Sequence, residues 1–498
     1  MVQQHTSSIH QQWVWQVMET KYSSQYKWGN MPYSYSRNDE SFFMTTARVD
    51  MGSGDDEISL AGGILADGDA NINHSNYFNL GSGNDNFIVG GSIRDTVSKR
   101  SSSNVIDLGT GNDHMIVGDS LEDHTLIISK DSAVIDINYD IKGHSALLLG
   151  DGNDTIKVRG SVFSDGTMDR FYDVISDNAS YGEVYKSAWY GPSQYVLDGQ
   201  LHKGAAVAFD LGDGDNHIEV LGVSEDTGAP AAWATTALYA GDGNDSFTVK
   251  GNVINVNNYG GEKALDFGNG NNTIDISGNV NSTNIRAGAG DDSVIIGGSL
   301  DAEIKDSAST INLGAGNDTV IIKANVGRED ASSYVVDSGD ITSINLGEGN
   351  NTLIVGGVWC NTNLNVGSGD DHIYINTLDV QNVDSIFTFD GSNTHSSGND
   401  IIVIDKLQGE LNHFKLNMNT DSEFPGLTVQ SSLEDDNKWS KSEESKSLKE
   451  WNVTDETLLS NAKEGTLYKQ YTYSRTSGDN SFTIYIAVDD PANTNNVL

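Results

Sequence analysis

Short runs along most of this chain alternate apolar and polar residues with a period of two, as in Asn86-Phe87-Ile88-Val89, Asp292-Ser293-Val294-Ile295-Ile296 and Asp371-His372-Ile373-Tyr374-Ile375. Successive side chains of a strand point to opposite faces. The alternation therefore turns Ile, Val and Leu to one side and Thr, Ser, Asn and Asp to the other. A second run precedes each of these, for example Ser103-Asn104-Val105-Ile106-Asp107-Leu108 or Ser343-Ile344-Asn345-Leu346. A glycine and one more apolar residue often follow, as in Gly160-Ser161-Val162 and Gly278-Asn279-Val280. The unit reads as strand, turn, strand, kink, short strand and return loop.

The turn is the same each time. Gly-x-Gly begins at residues 52, 81, 109, 150, 212, 241, 268, 288, 314, 347 and 367, and two residues after its second glycine stands Asp or Asn. One supersecondary unit cannot bury its apolar face alone, whereas stacked copies bury it continuously. The shortest intervals, 20 residues from Gly268 to Gly288 and from Gly347 to Gly367, set the length of a coil. Longer intervals add loops on one side. The predicted fold class is all-β: a parallel β-solenoid, β-helix or β-roll-like, with a cap at each end.

Three regions follow. Residues 1–45 carry Trp13, Trp15, Tyr22, Tyr26, Trp28, Tyr33 and Tyr35 without a repeat, so an N-terminal aromatic cap is expected there. Residues 46–409 form the solenoid with its Gly-x-Gly-[Asn/Asp]-[Asp/Asn] turns. Within it, the 62 residues from Gly150 to Gly212 hold either a degenerate coil or one large insertion, 163–209. Phe171, Tyr172, Tyr181, Tyr185, Trp189, Tyr190 and Tyr195 there pack as a loop over the solenoid, or present an aromatic platform to a sugar ring or a partner. Residues 410–498 mix a charged stretch, Glu434 to Glu450, with strand-like Tyr468 to Tyr473 and Phe482 to Val488. That region reads as a C-terminal β-rich cap with a short helix near Lys446 to Trp451.

Charge narrows the choice of partners. With 71 acidic against 29 basic side chains the formal charge is −42. This opposes contact with nucleic acid or an anionic membrane surface, and suits bound cations or a solubilising exterior. Gly is abundant at 54 and Pro rare at 5, which serves turns of positive φ and spares strand donors. A hydrophobic content of 37% is low for an ordinary globular core and sufficient for a narrow solenoid. Cys360 is the only cysteine, which leaves no internal disulfide and no cysteine metal cluster. No apolar run is long enough to span a bilayer, and Met1 to Thr20 has neither the basic nor the apolar part of a cleaved signal.

Two glycines one residue apart permit a tight turn in which backbone groups crowd together without Cβ clashes. An Asp two positions on, opening a strand, aims its carboxylate at that turn. In coils stacked about 4.8 Å apart, carbonyls of one coil and the Asp of its neighbour can surround an ion. Oxygen-only ligands in flexible geometry suit Ca²⁺ better than Mg²⁺ or a transition metal. The alternative is a Gly/Asn/Asp turn ladder that binds nothing.

These segments resemble the Gly-Gly-x-Gly-x-Asp-x-apolar-x repeats of the RTX, or hemolysin-type, calcium-binding family. The resemblance implies a parallel β-roll exported from a bacterium and folded by calcium after export, with the last glycine and the Asp shaping the ion-binding turn. Matched position by position, the metal-site residues it implies are Gly54 and Asp56, Gly83 and Asp85, Gly111 and Asp113, Gly152 and Asp154, Gly243 and Asp245, Gly290 and Asp292, Gly316 and Asp318, and Gly369 and Asp371. Asn216, Asn272 and Asn351 hold the Asp position in three copies, and a worn copy ending Gly398-Asn399-Asp400 adds Asp400. The chain departs from the family in two ways. The family's first glycine is mostly Leu, Phe or Ala here, as at Leu80, Phe267 and Ala287, and the motifs stand singly instead of in tandem. One motif per coil implies a wider β-helix with a single row of turns.

Catalytic signatures do not stand out. His114, His217 and His372 each follow the turn residue and fall on non-adjacent coils. Neither His-Glu-x-x-His nor Gly-x-Ser-x-Gly occurs. Lys157, Arg159 and Arg286 are too dispersed to single out a base, and acidic pairs are too common to mark a glycosidase. The favoured reading is a non-enzymatic, calcium-binding solenoid, secreted or displayed on a bacterial surface and folding on Ca²⁺. Its outer faces would meet a cell-surface glycan or protein, and the resemblance implies a secretion signal in the last several dozen residues. Two alternatives stay open: a polysaccharide-active lyase, epimerase or hydrolase with substrate under the 163–209 insertion, and a self-assembling filament or surface-layer subunit.

Overall fold

The computed structural model describes residues 34–37, 40–43, 48–66, 76–95, 104–122, 125–143, 145–164, 194–197, 200–203, 209–223, 231–256, 264–301, 308–327, 341–380, 385–389, 399–409, 414–419, 428–432, 439–474 and 481–488. The chain divides into two compact units, residues 1–268 and 269–498. Each is a parallel β-solenoid, and the one helix among the described residues is Glu456–Asn461.

In the first unit the strands that follow the turns stack in parallel as Glu57–Leu60, Asn86–Val89, Asp113–Val117, Ala133–Ile137, Thr155–Val158, His217–Val220 and Ser246–Val249. The register lines up Ile58, Phe87, Met115, Ile135, Ile156, Ile218 and Phe247 as one buried row, each 2% exposed or less. The strands that precede the turns form a second parallel sheet. It runs from Arg48–Asp50 through Asn76–Asn79, Asn104–Asp107, Thr125–Ile128, Ala146–Leu148, Phe209–Asp210 and Leu238–Tyr239 to Leu265–Asp266. A third row, Ile64, Ile93, Leu121, Ile141, Val162, Trp233 and Val253, completes the wall of the coils. The three rows meet in a core where Phe209, Trp233, Phe247 and Phe267 pack edge to face, with centroids 5.4, 5.0 and 5.7 Å apart. Each such pair adds about 0.5–1.5 kcal/mol beyond the area it buries.

The long intervals resolve differently. The 41-residue interval from Gly109 to Gly150 conceals a coil with no glycine in its turn, whose strands Thr125–Ile128 and Ala133–Ile137 are joined by Ser129-Lys130-Asp131-Ser132. The 62-residue interval conceals none: Thr155–Val158 pairs directly with His217–Val220, so the extra length is one insertion between Val162–Ser164 and Phe209–Asp210, which still belong to the coil walls. Gln194–Leu197 and Gln200–Lys203 within it form an antiparallel hairpin. Its aromatic residues Phe171 to Tyr190 lie outside the described residues, as does most of the 1–45 cap. The described part of that cap, Ser34–Arg37 and Glu40–Phe43, is antiparallel and pairs onward with Gly63 and Ile64.

The second unit repeats the plan. Its post-turn sheet is Thr273–Ile276, Ser293–Ile296, Thr319–Ile322, Thr352–Trp359, His372–Asp379, Asp400–Ile404 and Ser481–Ala487. The pre-turn sheet joins Val280–Arg286, Thr310–Asn312, Thr342–Asn345, Thr362–Asn365, Ser385–Phe389 and Phe414–Asn419. Residues beyond 410 thus lengthen both sheets before they cap them. Tyr468–Ser474 then turns back antiparallel on Ser481–Ala487. Leu448, Val453, Leu458, Tyr468 and Tyr485 cover Ile354, Tyr374 and Val403. The helix expected near Lys446 to Trp451 is a turn there. The helix forms one segment later, where Asp455 Oδ1 caps it by accepting the Leu458 N–H at 2.7 Å.

Candidate functional site

The turns are nested backbone on backbone. Gly83 has φ +142°, and a Cβ there would lie 2.1 Å from the Gly54 carbonyl oxygen; Gly314 has φ +86° and would bring a Cβ within 2.0 Å of the Gly288 oxygen. No side chain fits, which is why Gly-x-Gly recurs. The residue before the motif serves the core: Leu80, Phe267 and Leu313 are 0% exposed. An apolar side chain therefore stands where the resembling family has its first glycine.

Each turn Asp or Asn opens a post-turn strand, and within each unit those after the first bind the coil before them. In the first unit the N–H of Asp56 donates to Asp85 Oδ1 (2.7 Å), that of Asp85 to Asp113 Oδ1 (2.9 Å) and that of Ala133 to Asp154 Oδ1 (2.6 Å). The N–H of Asp154 donates to Asn216 Oδ1 (3.0 Å), and that of Asn216 to Asp245 Oδ1 (2.9 Å). In the second unit the series is Asn272 to Asp292, Asp292 to Asp318, Asp318 to Asn351, Asn351 to Asp371 and Asp371 to Asp400, all between 2.8 and 3.1 Å. The coil with no glycine in its turn interrupts the first series. Ala133 offers no acceptor, and the Asp113 N–H turns to the Ser132 carbonyl instead.

All these Asp side chains, from Asp56 to Asp400, are 2% exposed or less. The residue just before each of them stays at the surface and forms a counter-running ladder. Asn84 N–H donates to Asp55 Oδ1, Asn244 N–H to Asp215 Oδ1, and Asp370 N–H to Asn350 Oδ1, at 2.9, 2.7 and 2.8 Å. The sequence reading gave that residue no role, although the Asn/Asp doublet in every motif signals it.

The second branch of each ladder side chain is the chemically active part. At Asn216 it is Nδ2, which donates to the carbonyls of Ala240, Gly214 and Gly212 at 2.8, 3.2 and 3.5 Å. At Asn351 it donates to Gly349, Gly347 and Val366 at 3.1, 3.3 and 3.5 Å. At Asn272 it donates to Asp292 Oδ1 at 2.9 Å and to the Gly270 carbonyl at 3.1 Å. The amide thus marks a buried spot lined by carbonyl oxygens. At the Asp rungs the same branch is an oxygen. Oδ2 of Asp85, Asp113, Asp154, Asp292, Asp318 and Asp371 is buried and finds no donor among the described residues. An ionised oxygen beside carbonyl dipoles needs an electropositive atom between them, either a proton or a cation.

Burial accordingly raises these carboxyls. Desolvation pushes Asp154 and Asp371 up to about 8, Asp113, Asp245 and Asp318 to about 7, and Asp56 and Asp292 to about 6. Asp85 is raised for the same reason. Neighbouring acids push further in the same direction, Asp85 acting on Asp56 and Asp400 on Asp371. At every one of these carboxyls except Asp56, the backbone N–H that Oδ1 accepts works against the rise.

Among the described residues no three His, Cys, Asp or Glu side chains converge as a metal cluster. A cation at an Asp rung would therefore meet one carboxylate and the equivalents of the carbonyls that the Asn amides reach. This all-oxygen set, completed by water, fits Ca²⁺, which takes oxygen ligands in loose geometry. The histidines belong elsewhere: His114 Nε2 lies 3.3 Å from Asp136 Oδ2, and His372 Nδ1 lies 3.1 Å from Asp455 Oδ2.

No protein-family model matches the chain, and neither a curated protein nor a solved structure matches it.

Proposed function

We propose that this chain is a non-enzymatic, calcium-dependent β-solenoid that works outside the cell, secreted or held at a surface, where Ca²⁺ locks its coils together. The observation that carries this reading is the Oδ2 of Asp85, Asp113, Asp154, Asp292, Asp318 and Asp371, which finds no donor among the described residues and is set where the Asn rungs place an amide nitrogen among carbonyls. At Asp318 the residues that would hold the ion are Asp318 itself, through Oδ2, and the carbonyls of Gly314 and Gly316, the equivalents of those that Asn351 reaches on Gly347 and Gly349. Calcium supplies there the positive charge that lets Oδ2 remain ionised. Asp318 Oδ1 meanwhile keeps the N–H of Asp292, so the same carboxylate ties two coils together.

One carboxylate per rung places the affinity at the weak end for calcium sites, with Kd about 10⁻⁴–10⁻³ M, the range of extracellular modules. At cytosolic calcium such rungs stay unfilled, and the surplus of 71 acidic over 29 basic residues opposes compaction. Folding then follows export, because an ion that binds only the folded coils stabilises them by mass action. The outward rows, among them Thr155, Ser246, Thr319 and Thr352, are left free for contact with a glycan or protein at a cell surface.

Thermal unfolding followed by circular dichroism, with a calcium chelator and with millimolar Ca²⁺, tests the proposal. A midpoint that climbs with Ca²⁺ and responds far less to Mg²⁺ supports it. Identical melting curves under all three conditions overturn it.

A further inference from the structure

The ladder has two kinds of rung, and the difference lies in one atom. Asp154 and Asn216 are consecutive rungs of one unit, joined by the bond from Asp154 N–H to Asn216 Oδ1. Both use Oδ1 in the same way, since Asp154 Oδ1 accepts from Ala133 and Asn216 Oδ1 from Asp154. The other branch of Asn216 is satisfied by the carbonyls of Gly214 and Ala240, while Oδ2 of Asp154 has no donor among the described residues. Asp318 and Asn351 repeat the contrast in the second unit.

We infer that Asn216, Asn272 and Asn351 are permanently filled rungs, whose amide nitrogen takes the place of the cation and holds its coil without any. The inference rests on the calcium reading for what fills the Asp rungs, and it deepens that reading by dividing the ladder into conditional and unconditional ties. The division has a physical use. Cations on adjacent rungs would sit about one strand spacing, ~4.8 Å, apart and repel one another. In the second unit a neutral rung stands at Asn272 and again at Asn351, so the run of Asp292 and Asp318 is separated from Asp371. In the first unit Asn216 stands between Asp154 and Asp245, and Ala133, which has no side-chain acceptor, separates Asp113 from Asp154. The amide rungs also give each unit a tie that survives calcium withdrawal, from which neighbouring coils can be rebuilt.

The test compares Asp154→Asn, Asp154→Ala and Asn351→Asp with the unsubstituted chain. Melting is measured in chelator at about pH 9, and bound Ca²⁺ is counted by equilibrium dialysis with the metal alone. Asp154→Asn should melt about 2–4 °C higher than the unsubstituted chain in chelator and bind one calcium fewer. Asn351→Asp should melt lower in chelator, regain its midpoint in Ca²⁺ and bind one calcium more. The inference is overturned if Asp154→Asn is no more stable in chelator than Asp154→Ala. If the unsubstituted chain binds no calcium while Asp154→Asn still melts highest in chelator, the calcium reading falls and the amide-filled rung stands. Should Asn351→Asp fail to fold, the Asp154 pair decides alone.

Discussion

The backbone N–H of Asp292 donates to Oδ1 of Asp318 across 2.8 Å and 26 residues of chain, and Oδ2 of the same Asp318 carboxylate is buried without a donor among the described residues. One oxygen bonds the coil before it directly, and the other makes the strength of that tie depend on what the solvent supplies.

The pH dependence follows from that second oxygen. The folded-state carboxyls titrate between about 6 and 8, above the ordinary value of 3.8, so the folded chain binds protons more tightly than the unfolded one. Their contribution is complete below about pH 4 and is lost as pH rises through 6 to 8. In chelator the denaturation midpoint should therefore fall from pH 5 to pH 9, with Asp56 and Asp292 ionising first and Asp154 and Asp371 last. Saturating Ca²⁺ should flatten the slope. A midpoint in chelator that rises over this range contradicts the assignment.

Removing a whole rung should cost stability in any medium. Asp318→Ala leaves the N–H of Asp292, a buried residue, without its acceptor, and an unsatisfied buried donor costs about 1–3 kcal/mol. Urea unfolding should show this loss in chelator and a larger one in Ca²⁺, where the ion's contribution disappears as well. Equal losses in the two media would place no cation at this rung.

Nested turns tolerate no side chain. Gly314→Ala forces a Cβ to within 2.0 Å of the Gly288 carbonyl at φ +86°, and should destabilise the second unit by more than about 1 kcal/mol. Ala315→Gly in the middle of the same turn serves as the comparison. A Gly314→Ala variant that unfolds at the same urea concentration as its parent would mean the turns do not nest.

The aromatic core of the first unit offers a control independent of calcium. Phe247 is fully buried, edge to face with Trp233 and Phe267. Phe247→Ala should cost about 3–5 kcal/mol, by the same amount with and without Ca²⁺. Unequal losses would show that core and ladder do not act separately.

The coil was legible in the sequence because two signals coincide, the period-two runs and the glycine pairs. The coil of Ala133 escaped because its turn, Ser129-Lys130-Asp131-Ser132, has none of the glycines that the nested turns require. Its strand Ala133–Ile137 carries the same alternation and was the available clue. The burial of the Asp ladder was legible in principle too. Asp318, Val320 and Ile322 are two residues apart, so a strand that buries Val320 and Ile322 turns Asp318 inward as well. A reading that sent polar residues outward by type missed what parity dictates. That Oδ1 would be spent on a neighbouring backbone N–H, leaving Oδ2 without a donor, depends on register between coils and could come only from three dimensions.

The central claim is that a proton and a calcium ion compete for the same buried Oδ2 atoms. Calorimetric titration of the folded chain with Ca²⁺ near pH 6.5, in buffers of different ionisation enthalpy, measures the protons released for each ion bound. The account expects net proton release that shrinks toward zero by about pH 9. Calcium uptake with no proton release near pH 6.5 would contradict it.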